Sequence, residues 1–271
     1  MRFQLIIMNR IKQKLNEDPQ KKLLSIYFTA GYPQPEDTVQ IIEDLEKRGI
    51  DMIEIGLPFS DPLADGPTIQ DSSQRALDAG TTLNGVLTLV ERFREVSDIP
   101  VVLMGYYNPI YVYGMERFAA RAARAGVDGL LLVDVPFEHR GEIREYLDPY
   151  SICNITLVAP TTLDERTQEL LNQAEGFVYY VSMTGVTGTA SIDTSSIERR
   201  VNQLRALSPV PVAVGFGITT GDDAREVACF ADAVVVGSAL VKVIERYSGS
   251  AELLDQVNEF VKNLRQGIEQ A

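Results

Sequence analysis

Glu54 is a charged side chain inside an otherwise apolar run, Asp51-Met-Ile-Glu-Ile-Gly56. In an extended strand successive side chains alternate between faces, so Met52, Glu54 and Gly56 share one face and Ile53 and Ile55 the other. A carboxylate drawn into an apolar interior resists ionisation, and its pKa rises. A carboxyl that titrates near neutral pH is suited to general acid or base work. The alternative is a structural Glu satisfied by hydrogen bonds or an ion pair. The next segment, Pro58-Phe-Ser-Asp-Pro-Leu-Ala-Asp-Gly-Pro67, adds two carboxylates on a loop stiffened by three prolines. Asp65-Gly66 marks a turn within it. Asp61 or Asp65 folding back toward Glu54 would create a pair whose environments divide acid and base roles. Asp65 could equally be an Asx-turn residue.

A second kind of chemistry is signalled by glycine. Gly185-Val-Thr-Gly188, Gly215-Phe-Gly217 and Gly237-Ser238 each follow a short apolar run. Such turns let backbone N–H groups approach a phosphate closely. Thr187 and Ser238 add hydroxyl donors, and no Lys or Arg is needed in the cradle. Any one of these glycines alone is a turn residue; three together point to a phosphate.

The residues that are missing narrow the chemistry further. Lys12, Lys14, Lys21, Lys22, Lys47, Lys242 and Lys262 are the lysines, and none sits at the C-terminal end of an apolar run, which argues against a Schiff base. The single histidine, His139, excludes multi-histidine metal sites and reads as a surface or capping residue. No metal-ligand cluster and no strand-borne GxGxxG occurs. What remains is acid–base work on a small phosphate ester, with no cofactor or metal in this chain.

The elements that must position these residues are legible as two alternating textures. Eight apolar runs recur: Leu23–Ala30, Ile50–Leu57, Pro100–Gly105, Val127–Val135, Ile152–Ala159, Phe177–Ser182, Val210–Gly215 and Ala233–Val236. Near-continuous apolar runs indicate parallel strands covered on both faces. Segments with helical period separate them, including Glu36–Arg48, Met115–Ala125, Glu138–Leu147, Asp164–Ala174, Ser195–Leu207 and Gly221–Cys229. A cue precedes several strands: Gly49-Ile-Asp51, Gly126-Val-Asp128 and Ala231-Asp232. The alternation predicts an α/β fold, a closed (β/α)8 TIM barrel, with an open doubly wound sheet as the runner-up. Residues 9–17 form an extra N-terminal helix, and the stretch 58–97 holds a structured loop and two helices, one of them extra, after strand two. The segment Ala251–Gln270 is a terminal amphipathic helix. No linker divides the chain, so residues 1–271 read as a single domain, with 1–7 an N-terminal extension if Met8 is the original start. Active sites of such barrels lie at the C-terminal ends of the strands, where Glu54 and the glycine turns fall, and where Asn108 and Asp134 are supporting or interface residues.

Composition sets outer bounds. The 271 residues carry 25 basic and 38 acidic side chains, a formal charge of −13. That argues against nucleic acid and against an anionic membrane surface as partners, while leaving room for a small anion in one local site. Cys153 and Cys229 lie far apart in apolar stretches, with no CxxC, which suits core packing and a reducing cytosol. The apolar run Phe3–Met8 is too short for a signal peptide, and nothing approaches a membrane span. The expected location is the cytoplasm.

The run Ile53-Glu-Ile-Gly-Leu-Pro-Phe-Ser-Asp-Pro-Leu-Ala-Asp-Gly-Pro-Thr-Ile-Gln70 resembles the signature of the tryptophan synthase α chain family. Similarity extends to Phe28-Thr-Ala-Gly-Tyr-Pro33, Leu103-Met-Gly-Tyr-Tyr-Asn-Pro109, Asp134-Val-Pro136, Ser182-Met-Thr-Gly-Val-Thr-Gly188, Gly215-Phe-Gly-Ile218 and Gly237-Ser-Ala239, covering residues 8–268. The resemblance implies a lyase of L-tryptophan biosynthesis that cleaves indole-3-glycerol phosphate to indole and D-glyceraldehyde 3-phosphate. It implies that Glu54 protonates indole C3 and takes the glycerol hydroxyl proton, while Asp65 stabilises positive charge at indole N1–H. It further implies a phosphate pocket of Gly188, Phe216, Gly217, Gly237 and Ser238, with Tyr179 on the substrate side. Phe28, Ile69, Leu103, Tyr106 and Leu131 would line the indole site. Residues 58–65 and 183–195 would be mobile loops, with Thr187 meeting Asp65 on closure. The implied partner is a β chain that carries pyridoxal phosphate (PLP), in an αββα (α2β2) assembly. A free-standing indole-releasing lyase, a sugar-phosphate isomerase and a non-catalytic barrel that only activates a partner are the competing readings.

Overall fold

A computed structural model describes residues 9–181, 194–215 and 217–271. Eight parallel strands form a ring: β1 (Leu23–Thr29), β2 (Met52–Gly56), β3 (Val101–Gly105), β4 (Gly129–Leu132), β5 (Cys153–Val158), β6 (Glu175–Val181), β7 (Val212–Gly215) and β8 (Ala233–Val236). Each pairs with the next, and β8 pairs with β1. The barrel is closed, which excludes the open sheet. Every strand falls within or overlaps an apolar run read from the sequence.

The helices of the described residues are α1 (Arg10–Glu17), α2 (Pro35–Lys47), α3 (Pro67–Asp78), α4 (Leu83–Arg94), α5 (Tyr107–Tyr113), α6 (Met115–Ala125), α7 (Arg140–Leu147), α8 (Asp164–Asn172), α9 (Thr194–Leu207), α10 (Gly221–Ala228), α11 (Ser238–Tyr247) and α12 (Leu253–Ile268). The extra N-terminal helix is α1, and the stretch after β2 holds two helices, α3 and α4, one of them extra, as expected. Helix α5 is an addition that the sequence pattern did not announce. Residues 1–7, read as an extension, lie outside the described residues. No helix of the described residues is long and apolar enough to cross a membrane.

Two apolar layers follow from strand alternation. Leu24, Ile26, Ile53, Ile55 and Val101 face outward and pack with helix residues such as Leu45, Phe93 and Phe118. Leu23, Met52, Val102, Leu131, Cys153, Phe177, Ala213 and Ala233 fill the interior. Ile11 of α1 plugs the base of the barrel among them. A Cβ on Gly129 would lie 2.9 Å from Ile11 Cδ1, so glycine there makes room for the plug.

The aspartates before the strands now have a role. Asp51 Oδ2 accepts from Leu24 N at 3.0 Å, Asp128 Oδ2 from Val101 N at 2.9 Å, and Asp232 Oδ2 from Val212 N at 2.9 Å. Each carboxylate thus holds the base of the neighbouring strand. Each also has an arginine: Arg265 at 2.9 Å from Asp51, Arg94 at 2.6 Å from Asp128, and Arg205 at 2.8 Å from Asp232. Removing one member of a buried pair leaves the other charge uncompensated, which is strongly destabilising. Asp128→Ala is expected to lower unfolding free energy by about 3–5 kcal/mol in urea. Asp98→Ala, whose side chain is 93% exposed beside Arg10, should change it by less than about 1 kcal/mol. Equal effects of the two substitutions would refute the assignment.

Candidate active site

Glu54 is fully buried, and its side chain turns into the barrel with Ser25 and Tyr27 of β1. Ser25 Oγ donates to Glu54 Oε1 at 3.2 Å. Oε2 is buried and has no hydrogen-bond partner among the described residues. Burial raises the pKa to about 8, a shift that the Ser25 hydrogen bond only partly offsets. The ion-pair alternative is therefore excluded among the described residues.

Asp65 and not Asp61 turns inward. Asp61 is exposed and accepts from Ser60 Oγ at 2.6 Å. Asp65 Oδ2 accepts from Tyr106 Oη at 3.0 Å, and Tyr106 Oη in turn accepts from Ala64 N at 2.9 Å. The phenol thus clasps the loop at two points, while the Phe59 ring lies 5.1 Å from it. Burial raises the Asp65 pKa, and the Tyr106 hydrogen bond opposes that rise. The loop leads directly into α3, whose first turn contains buried Ile69.

Two tyrosines close the interior beneath the mouth. Tyr179 of β6 has its phenol pKa pushed well up, first by burial and then by the charges of Glu54 and Asp65. Tyr27 is shifted upward by the same causes, burial first. Neither ring would fit without neighbouring glycines. A Cβ on Gly215 would lie 2.6 Å from Tyr179 Cζ, and one on Gly56 the same distance from Tyr27 Cζ. Gly237 lies against Tyr27 as well, where a Cβ would be 3.2 Å from Cδ1.

Apart from Phe216, two of the three glycine turns fall among the described residues and meet this end of the barrel. Gly217 follows β7 with a positive φ of 41°, which glycine adopts without strain. Gly237 is the N-cap of α11, which has no side-chain cap, and Ser238 is exposed in its first turn. The first N–H groups of a helix lack intrahelical acceptors and favour an anion. Thr187 and Gly188, residues 183–193 of the second loop that the resemblance implies, and Phe216 lie outside the described residues.

Two of the proposed indole contacts need correction. Phe28 pairs with Ile55, and Leu103 pairs with Ile55 on the other side, so all three face outward into the helix layer. The inward positions one residue away are Tyr27 and Met104. Leu131 does lie in the interior layer. Ser25, Tyr27 and Met104 are thus site residues that the sequence reading passed over. Ser25 and Glu54 are polar breaks in apolar strands, and their phase was the available signal. Asp134 Oδ1 accepts from Tyr107 N at 2.9 Å and so anchors the start of α5, which carries exposed Asn108. His139 is exposed beside Glu142.

Fold and site together define a parallel-barrel enzyme with two unlike carboxyls at its mouth and glycine turns suited to a phosphate. The family model for "Tryptophan synthase alpha chain" matches residues 13–269. A tryptophan synthase alpha chain from Citrifermentans bemidjiense is 50% identical over 264 residues, 96% of this chain and 98% of that one. One from Geobacter sulfurreducens is 51% identical over 248 residues, 92% of this chain and 94% of its own. The crystal structure of tryptophan synthase subunit alpha from Legionella pneumophila superposes with a TM-score of 0.91 at 40% identity, covering 97% of this chain and 100% of that one. The chain belongs to the tryptophan synthase alpha chain family. It is a lyase subunit of tryptophan biosynthesis.

The Glu54 shift has a thermodynamic consequence. Its pKa is about 8 in the folded chain against an ordinary value of 4.5. The stability that this carboxyl contributes is full below the ordinary value and is lost as pH rises through about 8. Glu54→Gln removes that loss. The variant should therefore gain stability relative to the native chain between about pH 5 and about pH 9, reaching on the order of a few kcal/mol. Urea unfolding at both pH values tests this, and a pH-independent difference would contradict the burial of an ionisable Glu54.

Proposed function

We propose that Glu54 and Asp65 carry out the retro-aldol cleavage of indole-3-glycerol phosphate as an unlike carboxyl pair. The observation that supports this most is the unpartnered, desolvated Oε2 of Glu54. A carboxyl with a pKa of about 8 is protonated at neutral pH and acts first as an acid. It delivers its proton to indole C3, which makes the ring an electron sink. Asp65, held by Tyr106, accepts the N1–H hydrogen bond and stabilises the positive charge. The Glu54 carboxylate then takes the proton of the glycerol hydroxyl nearest the ring. The C–C bond breaks, its electrons return to the ring, and indole and D-glyceraldehyde 3-phosphate result. No lysine or imine is needed.

In this reading the phosphate lies on Gly188, Phe216, Gly217, Gly237 and Ser238, with Thr187 and Tyr179 toward the reacting end. The indole lies among Tyr106, Leu131 and Ile69, with Tyr27 and Met104 in place of Phe28 and Leu103. The chain acts as one barrel domain, 1–271, in the cytoplasm, without a cofactor of its own. Its partner is a β chain that holds PLP and consumes the indole in an α2β2 assembly. Supporting that partner, exposed Leu63, Tyr111 and Val112 lie on the loop after β2 and on α5, which follows β3. A 320 Å³ cavity lined by Asn108, Asp134 and Pro136 accompanies them.

One assay tests the reading: indole release from indole-3-glycerol phosphate, with and without a β chain. Turnover should rise when the β chain is added. Glu54→Gln should abolish turnover while binding of glycerol 3-phosphate is retained, and Asp65→Asn should lower the rate by ~10²–10⁴. The native kcat/KM should fall as pH rises through about 8, as the acid loses its proton. Native-like turnover by Glu54→Gln would sink the mechanism.

A further inference from the structure

A second cavity, of about 410 Å³, lies between β4–β5 and helices α7 and α8, and the cleavage reaction makes no use of it. Its origin is a local failure of strand pairing. β4 and β5 are in register at Gly129–Cys153 and Leu130–Asn154 and nowhere beyond. Arg140 of α7 reaches into the gap. Its Nη2 donates to the Asn154 carbonyl at 2.6 Å and its Nη1 to Thr156 Oγ1 at 2.9 Å. The residue is only 7% exposed, yet among the described residues no carboxylate pairs with it. Glu175, the nearest acidic influence, is engaged by Arg144. Burial lowers the Arg140 pKa to about 10, so the guanidinium keeps its charge at neutral pH.

A second buried donor lines the same cavity. Asn154 is 4% exposed, and its Nδ2 has no hydrogen-bond partner among the described residues. A buried charge without a counter-ion and a buried amide without a partner are both unfavourable unless something meets them. The rest of the lining is largely aliphatic, including Leu132, Val135, Ile143 and Leu170. At the rim, Arg166 is already held by Glu138. The volume is within the usual range for small-molecule sites, about 300–1,000 Å³.

We propose that this cavity binds a small monocarboxylate with an apolar body. The carboxylate meets the Arg140 guanidinium and the Asn154 amide, and the body packs on Leu132, Ile143 and Leu170. A single uncommitted cation among the described lining residues suits a monoanion, while Glu138 at the rim disfavours a dianion such as a phosphate monoester. Guanidinium and carboxylate form charge-assisted hydrogen bonds, the strong class.

The test uses hexanoate and its neutral isostere hexanamide, titrated into the full chain and followed by calorimetry. Hexanoate should bind saturably, one per chain, and hexanamide should bind about tenfold more weakly or worse. Arg140→Gln should weaken hexanoate by a similar factor. A crystal grown with hexanoate should place its carboxylate on Arg140. The hexanamide comparison and the crystal both use the native chain, so the outcome does not depend on whether the variant folds. Absence of saturable binding, equal binding of the amide, undiminished binding by Arg140→Gln, or hexanoate located elsewhere would each overturn the proposal.

Discussion

The Glu54 carboxyl is fully buried, and desolvation holds its pKa near neutrality. That condition constrains everything around it. A nearby cation would pull the proton off, and none contributes to its shift. Water in contact with Oε2 would relieve the desolvation, and Oε2 is buried in the barrel interior. The single hydrogen bond from Ser25 fixes one oxygen and leaves the other uncommitted. Asp65, on a loop beside the mouth, has a phenol donor and a smaller barrier to ionisation. Two groups of the same chemical type are thereby separated in acidity by their surroundings alone.

The two ends of the barrel use carboxylates in opposite ways. At the base, Asp51, Asp128 and Asp232 each combine an arginine with a backbone N–H of the next strand. These groups have their charge and hydrogen-bonding capacity met, and they fix strand positions. Toward the mouth, Glu54 has neither kind of partner. A carboxyl that stabilises the fold is paired, and one left free for proton transfer is unpaired and lowers stability when ionised. The firm base makes an unsatisfied group higher in the barrel tolerable. The formal charge of −13 is no obstacle to a phosphate, because backbone dipoles at glycine turns and a helix N-terminus act locally.

The strands were legible because parallel strands buried on both faces are apolar throughout. That same property hides which residues point inward. In β1 and β3, Phe28 and Leu103 look as suitable as Tyr27 and Met104, and only the polar residues Ser25 and Glu54 reveal the phase. A shift of one residue moves a side chain from the pocket to the helix layer. Helix α5 was missed for a different reason. Its sequence, Tyr107-Asn-Pro-Ile-Tyr-Val-Tyr113, has a proline and no polar–apolar period. Proline in a first helical turn loses no hydrogen bond, so the helix forms where Asp134 anchors its start. The aspartate cue before strands was visible as a repeat, but its meaning required the neighbouring strand in three dimensions.

The glycines at the strand ends answer to two demands at once. Read along the sequence, they are turns that admit a phosphate to the backbone. In space, Gly56, Gly215 and Gly237 are also the surfaces on which Tyr27 and Tyr179 rest. A methyl group at Gly215 would displace the Tyr179 ring, and the space beside Glu54 would open. Water entering there would lower the Glu54 pKa and weaken it as an acid near neutral pH. In the proposed reading, phosphate binding and carboxyl acidity are linked through Gly215 and Gly237. A side chain at these positions would disturb both, even though the glycines bear no reactive group.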